Sequence, residues 1–578
     1  MIGLLLAVTL SVGSGDAFPF ATPAAPALEP SPANPDRAFV ADSETEPGIF
    51  QLRVATGQSV VLVGPSYGLT GNQNCSESSP FNTPRIGGFW LEPTGPTRGW
   101  INTTNCELAV PFNYATGAGV TIAYSGANRT AVPTKHSLTG SFTRYQSGGG
   151  GAATALFKTN FTAGVVRVGN RLVVATSNLQ TTGSNPVYNP GTVLFFSIDD
   201  SVTPPAIAPA TPFFAVTSDP NPTALSVLPG GRVAVTNAGI FDASFPPLVT
   251  GQGSIDVHEP TTGSFVGSIP LGAANPFGPV VLDPTGSAGV TGSATYRRLY
   301  AVDLRDIQSV PTAPVDPRLQ RPSCNDSAAP SAGGVPCLRS RVVRGAANPI
   351  VLPPPPGGNG VFSYVPQVRF APSGDFVVAT SFNDGGMAVS SFDPRNLARP
   401  HPLLATRFGP PETLAATGPA GVIGAECCPG PLLLRSTGGA GLATTDALFV
   451  TSSPTGYVVR GHLGGSLAPA TGDTDGDGVE DALDVCPTKP DPGQADTSGD
   501  GVGNACQCGD VSNDGHVDVA DAVALRDFLA KPSVPLPAPQ KCNVGTGAAG
   551  ACDIVAATLL RRALGAKDPG IGFGCELQ

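Results

Sequence analysis

The chain has 578 residues and a formal net charge of −11, and its length exceeds what one hydrophobic core usually supports, so several domains are expected. Its 73 glycines, 61 prolines and low charged content, 13%, favour short strands joined by tight turns. The negative charge is local: Thr471 to Asp521 hold 13 acidic residues and one lysine, a net −12 that leaves +1 for the rest. The absence of a basic surface excludes the electrostatic footprint of a nucleic-acid-binding protein.

The N-terminal segment predicts export. Gly3 to Val12 form a largely apolar run that is too short to span a bilayer, and the small residues Gly15 and Ala17 precede a suitable cleavage point. We therefore expect a signal peptide over 1–17 and a secreted or cell-surface bacterial protein, with a buried strand as the alternative. No later segment approaches the length of a membrane span. Residues 18–38, rich in Pro and Ala, predict an extended linker.

Residues 39–465 contain apolar runs bounded by turn residues, which predicts a mainly β domain. Similar runs begin at 171, 232, 298, 375 and 447, and residues 253–272 predict a hairpin. Four-strand units repeated at roughly 40–80 residues are typical of β-propeller blades, and the pattern resembles secreted bacterial propellers of the surface-layer and lactonase-like kind. A pair of β-sandwiches is the alternative, and residues 39–150 are either the first blades or a separate β-domain.

Catalytic signals in this β region are weak. Residues 64–68, GPSYG, match G-x-S-x-G, but the sequence that follows cannot form the helix that a hydrolase nucleophile elbow requires, so Ser66 is interpreted as a turn residue. Carboxylates near strand ends could line a propeller mouth as acid and base, and surface solvation explains them equally well. These carboxylates are Asp199, Asp200, Asp256, Glu259, Asp303 and Asp384.

A dense acidic segment follows a short linker at 466–472. Asp473, Asp475 and Asp477 alternate and precede Gly478, so three carboxylates surround one point with a sharp turn after them. At about 5 Å and an effective dielectric of about 20, each pair repels by about 3 kcal/mol, so the cluster requires a cation. Hard oxygen donors at this spacing suit Ca²⁺, which is therefore the expected cofactor.

Residues 473–506 resemble a thrombospondin type 3 repeat, D-x-D-x-D-G-x-x-D-x-x-D-x-C-P followed by Q-x-D-x-D-x-D-G-x-G-D-x-C. The first half matches through Cys486 and Pro487, whereas Ser498 and Asn504 replace carboxylates in the second half and should weaken its site. The resemblance implies calcium threaded through loops with little hydrophobic core. The expected ligands are Asp473, Asp475, Asp477, the Val479 carbonyl, Asp481, Asp484, Asp496, Ser498 and Asp500.

A second calcium signature, GDVSNDGHVDVADAVALRDFLA, covers residues 509–530. It follows the EF-hand ligand order when Asp510 is position one, and a helix follows with Leu525, Phe528 and Leu529 on its apolar side. The segment 508–578 resembles a type I dockerin. The expected ligands are Asp510, Ser512, Asp514, the His516 carbonyl, Asp518 and Asp521, the last replacing the usual bidentate glutamate.

Residues 541–565 form a degenerate second copy of this unit. Ala556 stands where Asp521 does in the first copy, so tight calcium binding is not expected there. The resemblance implies a cohesin-like partner, with an intramolecular stalk or another private partner as alternatives. In the family, cohesin recognition falls at helix positions that are here Val519, Ala520, Arg526 and Asp527, and Ile554, Val555, Arg561 and Arg562 in the second copy.

The twelve cysteines predict disulfides formed in an oxidising compartment, because their number is even and they cluster. The economical pairs are Cys75–Cys106, Cys324–Cys337 and Cys486–Cys506, with Cys508–Cys542 and Cys552–Cys575 stapling the dockerin-like module. A zinc site at Cys506, Cys508, His516 and Cys542 is the alternative, and the hard oxygen donors around it disfavour zinc.

Two classes of function remain open at this point. In the first, the β-domain is a surface or recognition module for a polysaccharide or cell-surface ligand, and the calcium modules form its stalk and attachment point. In the second, the propeller is a carbohydrate-active enzyme of polysaccharide degradation that the dockerin-like module recruits. The lack of a catalytic motif favours the first class, and only analogy at the level of the fold supports the second.

Overall fold

The computed structural model describes residues 9–11, 17–19, 28–42, 48–53, 59–63, 86–94, 97–103, 107–115, 132–146, 151–182, 185–202, 205–240, 253–272, 275–295, 298–319, 337–338, 350–351, 367–374, 376–381, 386–391, 412–413, 415–417, 429–438, 444–451, 457–464, 486, 489, 509–512, 519–533, 535–542, 552, 557 and 560. These residues form eight β-sheets and one α-helix. Among them, no helix has both the length and the apolar content needed to cross a membrane.

The N-terminal half of the chain contains two short strands that belong to sheet 7, three four-stranded sheets and an accessory sheet. The two short strands are β1 (Thr9–Ser11) and β2 (Ala17–Pro19). Sheet 1 contains β3 (Leu28–Ser31), β4 (Asn34–Asp42), β5 (Gly48–Arg53) and β6 (Ser59–Val63). Sheet 2 contains β7 (Ile86–Leu91), β8 (Arg98–Thr103), β9 (Leu108–Asn113) and β10 (Val132–Pro133). Sheet 3 contains β13 (Thr162–Val168), β14 (Arg171–Thr176), β17 (Thr192–Asp199) and β18 (Ala206–Val216), and the accessory sheet contains β11 (Ser137–Gln146), β12 (Gly151–Lys158), β15 (Leu179–Thr182) and β16 (Asn185–Tyr188).

Four further sheets and the helical elements complete the described structure. Sheet 4 contains β19 (Pro222–Val227), β20 (Val233–Asn237), β21 (Gly253–Glu259) and β22 (Ser264–Gly272). Sheet 5 contains β23 (Pro276–Leu282), β24 (Ala288–Ser293), β25 (Arg298–Asp303) and β26 (Ile350–Val351), and sheet 6 contains β27 (Gln367–Phe370), β28 (Phe376–Ser381), β29 (Gly386–Ser391) and β30 (Glu412–Thr413). Sheet 7 contains β31 (Ala415–Thr417), β32 (Pro429–Ser436), β33 (Thr445–Thr451) and β34 (Tyr457–Gly464) with β1 and β2. The helices are α1 (Val519–Ala530) and short 3-10 turns at Pro229–Gly231, Ile307–Ser309 and Pro539–Cys542.

Sheets 1 to 7 follow one another in a closed ring. Shared hydrophobic clusters join sheet 1 to 2, 2 to 3, 3 to 4, 4 to 5 and 5 to 6, and β27 and β28 of sheet 6 lie beside β32 of sheet 7. The ring closes where Leu28 and Val40 of sheet 1 pack with Leu433 and Leu448 of sheet 7. The first strands of neighbouring sheets lie side by side around the centre. Within the described residues this is a seven-bladed β-propeller arrangement, which confirms the mainly β, propeller-like prediction and rules out paired sandwiches.

Two predicted boundaries in the first 150 residues need correction. Leu28 and Ala38, assigned from sequence to the Pro/Ala-rich linker over 18–38, are fully buried strand residues of sheet 1. The prolines misled the prediction because β3, which contains Pro30, lies at the edge of its sheet, where a missing backbone N–H is tolerated. Residues 39–150 are not a separate domain, since their sheets share cores with the rest of the ring.

The N-terminal strands complete sheet 7. Residues 9–11 pair antiparallel with His462–Gly464, and residues 17–19 pair with Tyr457–Val459 of the same strand β34. The N-terminal strands thus pair with β34 in the last blade, and β31 pairs with β1 on its other side. The predicted signal peptide ends at Ala17 and stays a prediction. Its removal would take β1 away and would leave Phe18 and Pro19 on β34.

The accessory sheet is built from two insertions on the same edge of the propeller. The hairpin β11–β12 lies between sheets 2 and 3, and the hairpin β15–β16 lies between the second and third strands of sheet 3. They join through β11 and β16, where Tyr145 pairs with Tyr188. Phe142 and Phe157 pack edge to face beneath this sheet, at 5.0 Å between ring centroids.

A small module containing α1 follows the ring along the chain. Its core contains Val511, Leu525, Leu536, Cys542 and Leu560, with partly buried neighbours along α1. Leu525 is fully buried and Phe528 and Leu529 are partly buried in this cluster, which confirms the apolar side expected for the helix.

Candidate functional site

Nearly all of the predicted thrombospondin-type segment lies outside the described residues. Its expected ligands Asp473, Asp475, Asp477, Val479, Asp481, Asp484, Asp496, Ser498 and Asp500 are in that category, as are Asp514, His516 and Asp518 of the second loop. Of the segment itself, the structure describes Cys486 and Lys489. Cys486 is buried and disulfide-bonded, and its carbonyl accepts a hydrogen bond of 2.9 Å from the Lys489 amide. The ligand assignments in this segment stay predictions.

The described part of the second loop brings together three of its six expected ligands. The side chains of Asp510 and Asp521 are both fully buried, although eleven positions of sequence separate them. The Ser512 amide donates to Asp521 Oδ1 at 3.0 Å, and the Ser512 hydroxyl lies 3.4 Å from Asp510 Oδ1. Loop positions one, three and twelve therefore converge at the first turn of α1.

This convergence fits a hard divalent cation. Buried carboxylates are costly unless they are paired or bind a metal, and of these two Asp510 is paired with the Lys541 ammonium at 2.8 Å. Carboxylate and hydroxyl oxygens are the donors that Ca²⁺ prefers. The structure describes two carboxylates at this point, and no group of three or more potential ligand side chains occurs within the described ranges. Asp514, the His516 carbonyl and Asp518 would have to supply the remaining donors if calcium binds.

One outer face of α1 carries the first-copy residues predicted to recognise a partner. Val519 is 69% exposed, and Ala520, Arg526 and Asp527 are exposed as well. The Arg526 guanidinium pairs with the neighbouring Asp527 carboxylate at 2.6 Å. Val523 lies on the same face with 38% exposure. The second-copy counterparts Ile554, Val555, Arg561 and Arg562 lie outside the described residues.

The disulfide of this module corrects two predicted pairings. Cys542 is bonded to Cys552, so the pairs Cys508–Cys542 and Cys552–Cys575 are both wrong. The bond does not link the two copies. It closes the loop of the second copy, at the place where a calcium loop would have an ion to hold it closed. It also removes Cys542 from the alternative zinc site, because a disulfide sulfur is not a thiolate ligand. Cys337 is disulfide-bonded too, with its pairing to Cys324 still a prediction.

The candidate carboxylates of the propeller are engaged separately. Asp199 accepts hydrogen bonds from the Ser201 hydroxyl and amide, which lower its pKa below the usual range. Asp256 is fully buried and accepts from the amide of Ser218 at 2.6 Å and from its hydroxyl. Three more of these carboxylates form ion pairs: Asp200 with Arg98 and Arg167, Glu259 with Arg232, and Asp303 with Arg305. Asp384 lies outside the described residues. The structure does not bring these carboxylates together as an acid and base pair.

A charged network between sheets 2 and 3 was not predicted from sequence. Glu92 is 3% exposed and accepts hydrogen bonds from Arg98 Nε at 2.6 Å, Trp100 Nε1 at 2.8 Å and Arg167 Nη1 at 3.2 Å. Asp200 binds the same two guanidinium groups from the other side. The four charges cancel and hold neighbouring blades together. No local sequence motif predicts such a network, because its members are up to 108 residues apart.

Glu107 is a second unpredicted acid, in the turn between β8 and β9. Its side chain is 1% exposed, its backbone is left-handed with φ of 46°, and Oε2 has no hydrogen-bond partner among the described residues. Burial raises the pKa of this carboxyl to about 7, against the opposing attraction of Lys135. In the sequence, the position of this single acid between Cys106 and the apolar run at 108–112 was the feature that could have indicated its burial.

Comparison with protein families locates one of the predicted modules. Residues 471–494 match the thrombospondin type 3 repeat family, which covers the first half of the acidic segment and part of the second. Such repeats bind calcium through loops of this composition. The match places a calcium-binding repeat behind the propeller, and therefore makes the chain a multidomain protein with an extracellular type of module. No curated protein matches the chain.

The similar solved structures are distant, and one of them is a β-propeller domain. Sqt1 of Chaetomium thermophilum is 13% identical, over 77% of this chain and 82% of its own, with a TM-score of 0.35. The β-propeller domain of Cps50 (Swd1) from Myceliophteria thermophila is 9% identical over 79% and 100%, with a TM-score of 0.41. Hydrazine synthase of Kuenenia stuttgartiensis is 11% identical over 76% and 97%, with a TM-score of 0.39. These scores are too low to carry an argument, so the fold assignment rests on the ring of sheets itself.

Proposed function

We propose that this chain is a secreted calcium-binding protein in which the propeller is a recognition or surface-display domain. The thrombospondin-type segment and the dockerin-like module form its stalk and attachment point. The observation that carries the proposal is the convergence of Asp510, Ser512 and Asp521 at the start of α1. These residues occupy positions one, three and twelve of the EF-hand order.

The charge distribution supports a calcium-dependent stalk. The acidic segment carries a net −12 while the rest of the chain is nearly neutral. Such a cluster repels itself without cations, and a short loop-rich module has too little core to resist that repulsion alone. Extracellular calcium modules typically bind with Kd of about 10⁻⁴ to 10⁻³ M, which fits a millimolar calcium environment outside cells.

Calcium binding at the second loop is tested on the full chain by hydrogen exchange of the α1 amides. The double substitution Asp510→Asn and Asp521→Asn removes two ligand charges and keeps the shapes of both side chains. We expect added CaCl₂ to slow exchange over Val519–Ala530 in the wild type and to leave the double variant unchanged. Asp527→Asn is the matched control, because this carboxylate is exposed on the same helix and is not a ligand position.

The control should respond to calcium as the wild type does. A wild-type chain whose α1 amides exchange at the same rate with CaCl₂ and with chelator would contradict calcium binding at this loop. A loss of the response in Asp527→Asn would show that any change of charge on α1 disturbs the module, and the ligand assignment would then be wrong.

The exposed face of α1 supports the attachment role. Val519 and Val523 expose apolar side chains next to Arg526, and apolar anchors beside arginine are typical of protein interfaces. A cohesin-type domain is the partner implied by the family resemblance. Biosensor titration of such a domain against the full chain and against Val519→Asp should show weaker binding of the variant with unchanged calcium protection. Equal binding of both chains would show that this face of α1 is not the contact surface, and absence of binding to both would leave the module as a stalk without this partner.

The alternative function, a carbohydrate-active propeller enzyme, is favoured by none of the described carboxylates. Asp200, Glu259 and Asp303 form ion pairs with arginine, and Asp256 is fully buried and accepts a hydrogen bond from the Ser218 amide. The recognition role is therefore the one proposed here.

A further inference from the structure

Lys541 places a positive charge inside the predicted calcium loop. Its ammonium nitrogen lies 2.8 Å from Asp510 Oδ2, and the exposed fractions of the two side chains are 5% and 0%. A buried charge is strongly unfavourable unless a partner of opposite charge meets it with good geometry. The ion pair therefore belongs to the interior of the module, where Lys541 neutralises a residue that occupies a ligand position.

The backbone holds Lys541 in this place. The amide of Gly509 donates to the Lys541 carbonyl at 2.7 Å, and the amide of Ala538 donates to the Val511 carbonyl at 3.1 Å. The next residue, Cys542, is fully buried and disulfide-bonded. The short helix Pro539–Cys542 is thus fastened to the first residues of the calcium loop on both sides. Lys541 is a fixed component of the loop and not a mobile surface side chain.

The two oxygens of Asp510 face different partners. Oδ1 lies toward the Ser512 hydroxyl, on the side of the loop where Asp521 is held, and Oδ2 receives the Lys541 ammonium. A calcium ion coordinated by Asp510 would share that carboxylate with the lysine. The ammonium then repels the ion, whereas in the absence of calcium it balances one of the two buried carboxylates.

We propose that Lys541 is a resident counter-cation of the Asp510 loop, which keeps the loop folded without calcium and weakens calcium binding there. The inference rests on the proposed calcium binding by this loop. It adds that the loop is set by Lys541 to respond to high calcium concentrations. Lys541→Met removes the charge and preserves the length of the side chain. Its calcium affinity at this loop is expected to rise on the order of tenfold, because a unit positive charge near the ion is lost.

The test uses hydrogen exchange of the full chain over Val519–Ala530, titrated with CaCl₂ from chelator to about 10 mM. In the wild type, α1 is expected to show partial protection in chelator and further protection at high calcium. In Lys541→Met, protection in chelator is lost and the calcium midpoint moves to a concentration on the order of tenfold lower. Lys541→Arg keeps the charge and should behave as the wild type does.

The outcomes separate this inference from the proposed function. Calcium-dependent protection with the same midpoint in wild type and Lys541→Met overturns the counter-cation role and leaves calcium binding intact. No calcium-dependent protection in the wild type overturns calcium binding itself. If Lys541→Met stays unprotected even at about 10 mM CaCl₂, Lys541→Gln repeats the test with a polar side chain. Failure of both variants to gain protection means that calcium cannot replace the lysine, which also overturns the role.

Discussion

Glu107 makes the stability of the propeller depend on pH, and Glu107→Gln should remove that dependence. The carboxyl is 1% exposed, and burial raises its pKa from the usual 4.5 to about 7. The folded protein therefore binds this proton more tightly than the unfolded chain does. The contribution to stability is complete below about pH 4.5, decreases as pH rises through about 7, and is lost above it.

The size of the effect follows from the two pKa values. At about 1.4 kcal/mol for each pH unit between them, ionisation of Glu107 lowers the free energy of unfolding by about 3 kcal/mol at pH 8. Glutamine has the shape of the protonated carboxyl and cannot ionise. For a domain of roughly 430 residues, with an unfolding entropy of about 2 cal/mol/K per residue, the gain corresponds to about 4 °C in Tm.

The assay is thermal unfolding of the full chain between pH 4 and pH 8 at constant calcium concentration. The Tm of Glu107→Gln should equal that of the wild type at the acid end and exceed it progressively above pH 5. Glu259→Gln is the control: this side chain is partly exposed and forms an ion pair with Arg232, so its replacement should not raise the Tm at any pH. A Glu107→Gln curve that runs parallel to the wild type, or below it at pH 8, would refute the reasoning.

The remaining predictions concern packing of the ring and are measured by urea unfolding. Glu92→Gln, which weakens the pairing of a buried carboxylate with two partly buried arginines, should lower the free energy of unfolding by about 3 kcal/mol. Leu448→Ala opens a cavity where sheets 1 and 7 meet and should cost about 3 kcal/mol. Gly99→Ala would place a Cβ 2.4 Å from the Phe112 ring and should cost about 2 kcal/mol. Asp316→Asn, at an exposed ion pair, should change stability by less than about 1 kcal/mol; equal losses in all four would contradict the structural assignments.

The strand repeats could be predicted because five of the seven blades carry a strongly apolar strand that stands out in the sequence. The runs at 171, 232, 375 and 447 correspond to β14, β20, β28 and β33, the second strands of their sheets. The run at 298 is β25, a third strand. The second strand of that sheet, Ala288–Ser293, contains two glycines and is weaker in β-propensity. Spacing alone does not distinguish the second strand from the third, which is why the blade count emerged only from the shared cores.

Buried charges were missed for a different reason. Glu92 and Glu107 look like ordinary surface acids in sequence, because acidic side chains are mostly exposed. What buries Glu92 is Arg167, which lies in the next blade. What buries Glu107 is the packing of its turn near Thr134, whose amide donates to the Glu107 carbonyl at 2.8 Å. Information of this kind depends on contacts between strands that are far apart in sequence, and is not present in any local window of residues.

The loop from Asp510 to Asp521 combines a feature that the sequence predicts with features that only the structure reveals. The ligand order from Asp510 to Asp521 is contained in twelve consecutive residues, so chain geometry alone brings its ends together and the sequence sufficed to predict the convergence. Lys541 and the Cys542–Cys552 bond belong to the degenerate second copy, which seemed from sequence only to have lost its own ion. In the folded module that copy supplies a cation to the first loop and a covalent closure to itself. If the first loop binds calcium as proposed, the missing ligands of the second copy and the ammonium that the same copy supplies to the first loop are two parts of one adaptation, since both would reduce the module's dependence on bound calcium.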